Sequence, residues 1–449
     1  MSAHPAFRPN DTAPRYTSYP TAPHFHAGLG GRALKAWLGH LPDGEPVSLY
    51  VHIPFCDRLC WFCACHTKQT RHYAPVEAYL NVLHQEIAAI GRLVGDRANV
   101  GALHFGGGSP TMLKPADLAA LDRALRSAFT FANDIRISVE IDPNDMDEAR
   151  LDALAAMGMT RASLGIQDFH PRVQEAINRE QSFETTHAVV EGLRKRGVRS
   201  VNLDLLYGLP YQTTETLVLT LRQALMMHPD RLALFGYAHV PWFKKHQTMI
   251  DEASLPGSAA RLMQSQTARD HILAQGYAPI GIDHFARPGD GLALAAANGT
   301  LRRNFQGYTD DRCATLIGLG PSSVSQFPQG YLQNSTATGE YMRLIRAHGL
   351  ATVRGIELTD DDRMRRWIIE RLMCDFAFSA EVLRKHFGPM AEEAISCAMT
   401  TAADQGAGLC EWNAGIFSIT PEGRPFTRAI AAKFDRYLAR GTARHSAAV

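Results

Sequence analysis

From Pro46 to about Tyr237 the chain alternates short, nearly unbroken apolar runs with longer stretches whose apolar residues return every three or four positions. The runs "PVSLYVHI", "VGALHF", "IRISVEI", "TRASLGI", "RSVNLDLL" and "RLALFGY" read as strands, because β-branched and aliphatic residues dominate them. Between them "VEAYLNVLHQEIAAIGRLV", "PADLAALDRALRSAF", "EARLDALAAMG", "ETTHAVVEGLRKRG" and "TETLVLTLRQALMM" carry the spacing of amphipathic helices. A strand apolar on both faces needs cover on both, so the pattern predicts a parallel sheet wrapped by helices. Six such units fall short of the eight that close a barrel. The predicted fold class is α/β, a partial (β/α)6 barrel, with a flat doubly wound sheet as the competing arrangement.

Outside that stretch the rhythm changes. Residues 1–45 form an N-terminal arm rich in Pro and Thr, and residues 238–350 extend the barrel domain, 46–350, with Gly-, Pro- and Asn-rich loops. From Ala351 onward a mostly helical C-terminal domain, 351–449, is expected. Within it "EWNAGIFSIT" reads as a hairpin turning at Asn413–Gly415, which makes the domain winged-helix-like.

Composition narrows the function. A chain of 449 residues with 45% apolar and 20% charged residues is globular, and a net charge of +1 argues against nucleic acid as a partner. Neither the first 25 residues nor any later run has the apolar length of a signal or membrane segment, so a cytoplasmic protein with no membrane partner is expected. In that reducing compartment eight cysteines do not form a disulfide framework. Four of them, Cys56, Cys60, Cys63 and Cys65, fall within ten residues, which points to metal or redox chemistry.

The strand ends carry polar groups where a parallel α/β sheet binds its ligands. The first strand runs into the cysteine loop and the second into "GGGSP", Gly106–Pro110. The third carries Glu140, the fourth ends at Gln167 and Asp168, the fifth carries Asp204, and the sixth ends at Tyr237–Ala238. Each alone is equally a turn former or cap; their recurrence around one rim favours a site. Three consecutive glycines let backbone approach a ligand closely, although a tight strand-to-helix turn would use them too.

Structural zinc sites usually pair two short knuckles across a longer loop, and no second knuckle lies near. The spacing C-x3-C-x2-C instead suits three thiolates on one face of a [4Fe–4S] cluster, leaving one iron open. Cys65 and His66 remain possible fourth ligands on spacing alone.

That spacing after the first strand, with Phe62 before the third cysteine and GGG-x-P after the second strand, resembles the radical S-adenosylmethionine (SAM) superfamily. "PRYTSYPTAPHF", "HFGGGSPT", "SVEIDP", "NLDLLYGLP", "DRLALFGYAHVP", "GIDHFARP", "RNFQGYT" and "IAAKFDRYL" extend the resemblance along nearly the whole chain, to the oxygen-independent coproporphyrinogen III oxidase family. The resemblance implies decarboxylation of two propionates of coproporphyrinogen III to vinyls, giving protoporphyrinogen IX for haem synthesis. It also implies a [4Fe–4S] cluster on Cys56, Cys60 and Cys63, whose open iron SAM chelates before one electron cleaves it to a 5′-deoxyadenosyl radical.

By the same resemblance Tyr50, Gly107, Glu140 and Val324 (Ile in many relatives) contact the cluster-bound SAM. Phe62, Gly108, Ser109 (Thr in many relatives), Gln167, Arg179, Asp204 and Ala238 line a second SAM site. Cys65 matches a non-ligating cysteine, and Tyr50 and Cys65 are candidates to support a reaction for which no catalytic side chain is assigned. A one-electron donor such as flavodoxin or ferredoxin, and a monomeric state, are expected. Competing members of the superfamily are a haem-binding chaperone, disfavoured by Cys65 and the arm, and a haem-degrading enzyme. A substrate with four propionates calls for arginines, for which Arg15, Arg287, Arg302 and Arg303 are the candidates. The arm is expected to close over the site.

Overall fold

The computed structural model describes residues 12–404 and 408–438. Its centre is six parallel strands, β1 (Glu45–Ile53), β2 (Ala98–Gly107), β3 (Thr130–Ile141), β4 (Met159–Gln167), β5 (Ser200–Tyr207) and β6 (Arg231–Gly236), adjacent in chain order. Each is followed by a helix: α1 (Ala74–Val94), α2 (Pro115–Ala128), α3 (Glu148–Ala156), α4 (Phe183–Lys195), α5 (Thr214–Met226) and α6 (Ser258–Ala274). The six-unit α/β reading therefore holds. β1 and β6 do not pair with each other: β1 continues into Thr315–Leu319 and β6 into His284–Ala286. The sheet stays open: Thr315–Leu319 adds a parallel strand beside β1, and five antiparallel strands at the two edges complete twelve.

The physical basis is the apolar pattern. Val47, Leu49, Val51 and Ile53 of β1 are fully or almost fully buried, as are Leu83, Ile87 and Ile90 of the helix facing them. One continuous core runs from Leu34 to Ala351 through every barrel strand. Burying each such aliphatic side chain contributes about 1.5–3 kcal/mol. Helix starts are set locally: Asp147 accepts from Arg150 N, Ser182 from Thr185 N, and Thr213 forms a capping box with Thr216.

Two boundaries differ from the sequence reading. Gly31–Gly39 is a helix whose Leu34, Trp37 and Leu38 enter the main core, so the free-running arm ends near Gly30. The strand Thr352–Glu357 pairs with Gly330–Asn334 in the large sheet, so the sheet runs past the compositional break at Ala351. Both segments are short and polar-flanked, and tertiary pairing decides their place. Beyond Leu358 come helices Asp360–Asp375, Ala380–Phe387 and Ala391–Asp404 and a three-stranded sheet. Its hairpin, Cys410–Asn413 and Ile416–Ile419, turns through Ala414 and Gly415, both at positive φ. These elements share a second core with Ala13, Tyr16 and Tyr19 of the arm. Among the described residues no helix is long and apolar enough to cross a membrane. Residues 1–11 of the arm and 439–449 of the C-terminal segment lie outside the described residues.

Candidate functional site

A cavity of about 760 Å³ opens at the carboxyl ends of the six strands. It gathers Cys56, Phe62, Gly107, Ser109, Glu140 and Gln167, and beyond them Cys60, Cys63, Cys65, Gly108, Arg179, Asp204 and Ala238. Residues far apart in sequence are thus brought to one wall by a topology that ends every parallel strand on the same side.

The cysteine loop is fastened at both ends. Lys68 N donates to Pro54 O at 2.7 Å and Thr70 N to Cys56 O at 2.9 Å; within the loop, Trp61 N donates to Ile177 O at 2.9 Å. Three side chains from the segment after β6 hold its carbonyls. Gln247 Nε2 donates to Phe62 O at 3.0 Å, His246 Nε2 to Cys63 O at 2.7 Å and Lys244 Nζ to Cys65 O at 2.8 Å. The sulfurs face donors: Thr67 Oγ1 lies 3.0 Å from Cys56 Sγ, Arg179 Nη1 3.6 Å from Cys60 Sγ and Cys65 N 3.4 Å from Cys63 Sγ. Hydrogen bonds from Cys65 bring the Cys63 thiol down to about 7, whereas burial pushes Cys56 up to about 12.

The glycine run is held by close approach. Gly108 N donates to Ile53 O at 2.8 Å and Ser109 N to Phe55 O at 2.7 Å. A Cβ on Gly107 would lie 2.5 Å from the His52 ring, at a φ of +115°, and one on Gly108 would lie 2.5 Å from Phe55 O. Glu140 receives Gly107 N at 3.0 Å and His104 Nε2 at 3.2 Å. Burial alone would raise its carboxyl, but these donors and His104 hold it below the ordinary value. Tyr50 stacks on His104 at 5.7 Å and donates to His52 Nδ1 at 3.1 Å. His52 Nε2 in turn donates to His66 O at 2.8 Å, which leaves Nδ1 to accept.

On the other flank Arg179 is buried and bridges the site. Its Nη1 meets Asp142 Oδ2 at 3.1 Å and its Nη2 donates to Gly165 O at 2.7 Å. Gln167, beside it, is held at a φ of +67°, a strained conformation for a side-chain-bearing residue at a cavity rim. Asp204 accepts from Ser163 Oγ and Asn202 Nδ2, both at 2.8 Å, and burial raises its carboxyl.

Not every expected residue lines this cavity. Val324 sits on Val324–Phe327, two strands beyond β1, and packs with Phe25, Tyr331 and Ile356; Phe305, which does line the cavity, packs against that group. Tyr50 stands behind Glu140 through His104. Asp168 turns away and caps structure, accepting from His170 N, Gln212 Nε2 and Thr220 Oγ1. Of the four expected arginines, Arg15 lines the cavity and Arg303 binds the arm backbone behind it. Arg287 is instead tied to Pro229 O and the Tyr277 ring, and Arg302 to Glu370. These two are corrections: each has a local partner that sequence alone does not reveal. The segment Lys244–Gln247 was missed, because side chains that bind main-chain carbonyls leave no motif. His104 and Asp142 could have been found, since each stands beside a motif residue.

The donor set fits an iron–sulfur group. Three cysteines of one loop open to a single space, each sulfur met by one N–H or O–H donor of the kind that tunes such clusters. Glycine backbone without side chains and the Glu140 carboxylate beside them suit close approach of a ligand carrying an amine.

The comparisons agree with this geometry. The family model described as the radical SAM superfamily matches residues 50–224. The oxygen-independent coproporphyrinogen III oxidase of Paracoccus denitrificans is 48% identical over 97% of this chain and 96% of its own length. The enzyme of that name from Escherichia coli K12 is 40% identical over 96% of this chain and 94% of its own. The solved coproporphyrinogen III oxidase (HemN) of Escherichia coli, described as a radical SAM enzyme, superposes with a TM-score of 0.90 at 39% identity, covering 94% of this chain and 97% of that one. This chain therefore belongs to the oxygen-independent coproporphyrinogen III oxidases of the radical SAM superfamily.

Proposed function

We propose that the chain oxidatively decarboxylates two propionates of coproporphyrinogen III to vinyls, yielding protoporphyrinogen IX in haem synthesis. Its full-length similarity to oxidases of that name is the observation that carries the reading. Each conversion removes CO2, one hydrogen atom and one electron from a propionate. The [4Fe–4S] cluster and SAM, when bound, supply the radical that takes the hydrogen atom.

The chain's own part is to hold, orient and exclude water. Cys56, Cys60 and Cys63 would hold the cluster, and the Thr67, Arg179 and Cys65 donors would settle charge on their sulfurs. Gly107 and Glu140 would contact the cluster-bound SAM, Glu140 through the SAM amine, with Tyr50 fixing Glu140 through His104. Phe62, Gly108, Ser109, Gln167, Arg179, Asp204 and Ala238, which share the same cavity, would line the second SAM position. Val324 enters this scheme only through Phe305. The arm would roof the cavity with Ala13, Pro14 and Arg15. A small one-electron carrier in the cytoplasm, flavodoxin or ferredoxin, would feed a monomer. Residues 31–358 would form the barrel unit, and the described residues from 359 to 438 the helical one.

Incubation without oxygen, with coproporphyrinogen III and with haem in separate vessels, tests the reading. Vinyl-bearing porphyrinogen from the first and unchanged haem in the second are expected. Haem bound without turnover would indicate a chaperone, and haem consumed would indicate a degrading enzyme.

A further inference from the structure

Arg179 stands between a cluster ligand and a carboxylate. Its Nη1 donates to Cys60 Sγ at 3.6 Å and meets Asp142 Oδ2 at 3.1 Å, while Nη2 donates to Gly165 O at 2.7 Å. The backbone on both sides holds this contact in place. The residues flanking Cys60 are clasped to the two residues that precede Arg179: Asn178 Nδ2 donates to Leu59 O and Trp61 N to Ile177 O, both at 2.9 Å. Asp142 is fixed as firmly. It follows the last residue of β3, its Oδ1 accepts from Asn144 N at 3.1 Å and its N–H donates to Thr111 Oγ1 at 3.2 Å.

Of the three ligand cysteines Cys60 is buried and the other two are half-buried. Its sulfur also meets a charged donor, whereas Cys56 meets the Thr67 hydroxyl and Cys63 a main-chain N–H. The Arg179 and Asp142 side chains are 9% and 12% exposed, so solvent screens their charges little. A [4Fe–4S] cluster gains negative charge on reduction, and its potential follows the charges and hydrogen bonds at its sulfurs. A guanidinium against Cys60 favours the reduced form; a carboxylate on the same nitrogen draws that N–H away and opposes it. We propose that Asp142 is a positioning residue that divides Arg179 Nη1 between itself and Cys60, and thereby lowers the reduction potential of the cluster. A lower potential makes the reduced cluster the stronger electron donor, which cleavage of a sulfonium requires. The proposal rests on the three-cysteine reading of the loop and goes beyond it.

The test uses anaerobically reconstituted protein without SAM, titrated electrochemically while iron–sulfur absorbance and the EPR signal of the reduced cluster are followed. At a fixed potential Arg179→Gln should lower the ratio of reduced to oxidised cluster roughly tenfold. Asp142→Asn should raise it by a similar factor, each shift being about 59 mV for a one-electron couple. The double variant carrying both changes should fall between the two. Arg58→Gln, whose guanidinium is bound to Asp57 and Glu180 O, should stay within about twofold of wild type. Opposite signs are the signature, because a merely loosened loop would move both variants the same way. Shifts of one sign, no shift in Asp142→Asn, or an Arg58→Gln shift as large as that of Arg179→Gln overturn the proposal. Should Arg179→Gln fail to hold a cluster, Asp142→Asn decides alone: a raised potential upholds the proposal, and an unchanged or lowered one ends it. A wild-type protein without a cluster after reconstitution overturns the three-cysteine reading itself, and with it this one.

Discussion

Cys65 is exposed at the mouth of the cysteine loop and gives its N–H to the sulfur of Cys63, two residues before it. A thiol so close in sequence to one ligand reaches the far corner of a cubane only by straining the loop, so its part is support. Cys56→Ala, Cys60→Ala and Cys63→Ala should each lose iron and sulfide after anaerobic reconstitution, while Cys65→Ala keeps both and loses only turnover. An iron-free Cys65→Ala protein would end the three-ligand reading. Residue identity was legible here because the chemistry itself imposes the spacing, three thiolates on one loop. It was not legible for Arg287 and Arg302, whose charges satisfy Pro229 O and Glu370, partners 58 and 68 positions away.

Among the elements, the six strands could be read because a strand covered on both faces has to be apolar throughout. The turns around Lys244–Gln247 carry no such constraint, yet they hold the cysteine loop. Gln247 is fully buried and bonds Phe62 O, Ala238 O and Val240 N. Gln247→Ala leaves those groups unpaired at about 1–3 kcal/mol each, so a chelator should bleach the cluster at least about tenfold faster. Equal bleaching rates would show that the clamp is idle.

Helix α1 is joined to the sheet extension by another buried polar group. Glu86 accepts from Tyr341 Oη at 2.6 Å and from Gly320 N and Asn334 Nδ2 at 2.7 Å, yet burial still lifts its carboxyl to about 7. A carboxyl raised on folding binds its proton more tightly in the folded state. Its contribution is full below the unfolded value of about 4.5 and is lost as pH rises through about 7. Urea unfolding of wild type and Glu86→Gln should show the difference in stability falling across that window and flat on either side. A difference that grows with pH would reverse the assignment.

At the level of the whole molecule, the arm belongs to two structures at once. Ala13, Pro14 and Arg15 face the cavity, while Tyr16 Oη donates to Asp435 Oδ2 at 3.0 Å and Tyr19 Oη receives Arg436 N at 3.2 Å. A Pro- and Thr-rich segment ahead of the first strand pointed to a place near the cavity. The contact with Asp435 and Arg436 was hidden, because an anchor between chain ends has no local pattern. Phe434 is fully buried in the core that seats Tyr16 and Tyr19, and its loss to Ala costs about 3–5 kcal/mol there. Phe434→Ala should therefore let trypsin cut after Arg15 several-fold faster, before the barrel is touched. An unchanged cleavage rate at Arg15 would mean the arm is seated by something else.

The Tyr16–Asp435 bond spans 419 residues, so the arm side of the clasp leaves the ribosome long before its partner. The cysteine loop and all six barrel strands are synthesised long before that clasp exists. During those seconds the mouth of the cavity stands open from the arm side. The order of synthesis thus makes the seating of the arm a late event, after the barrel it covers already has all its strands.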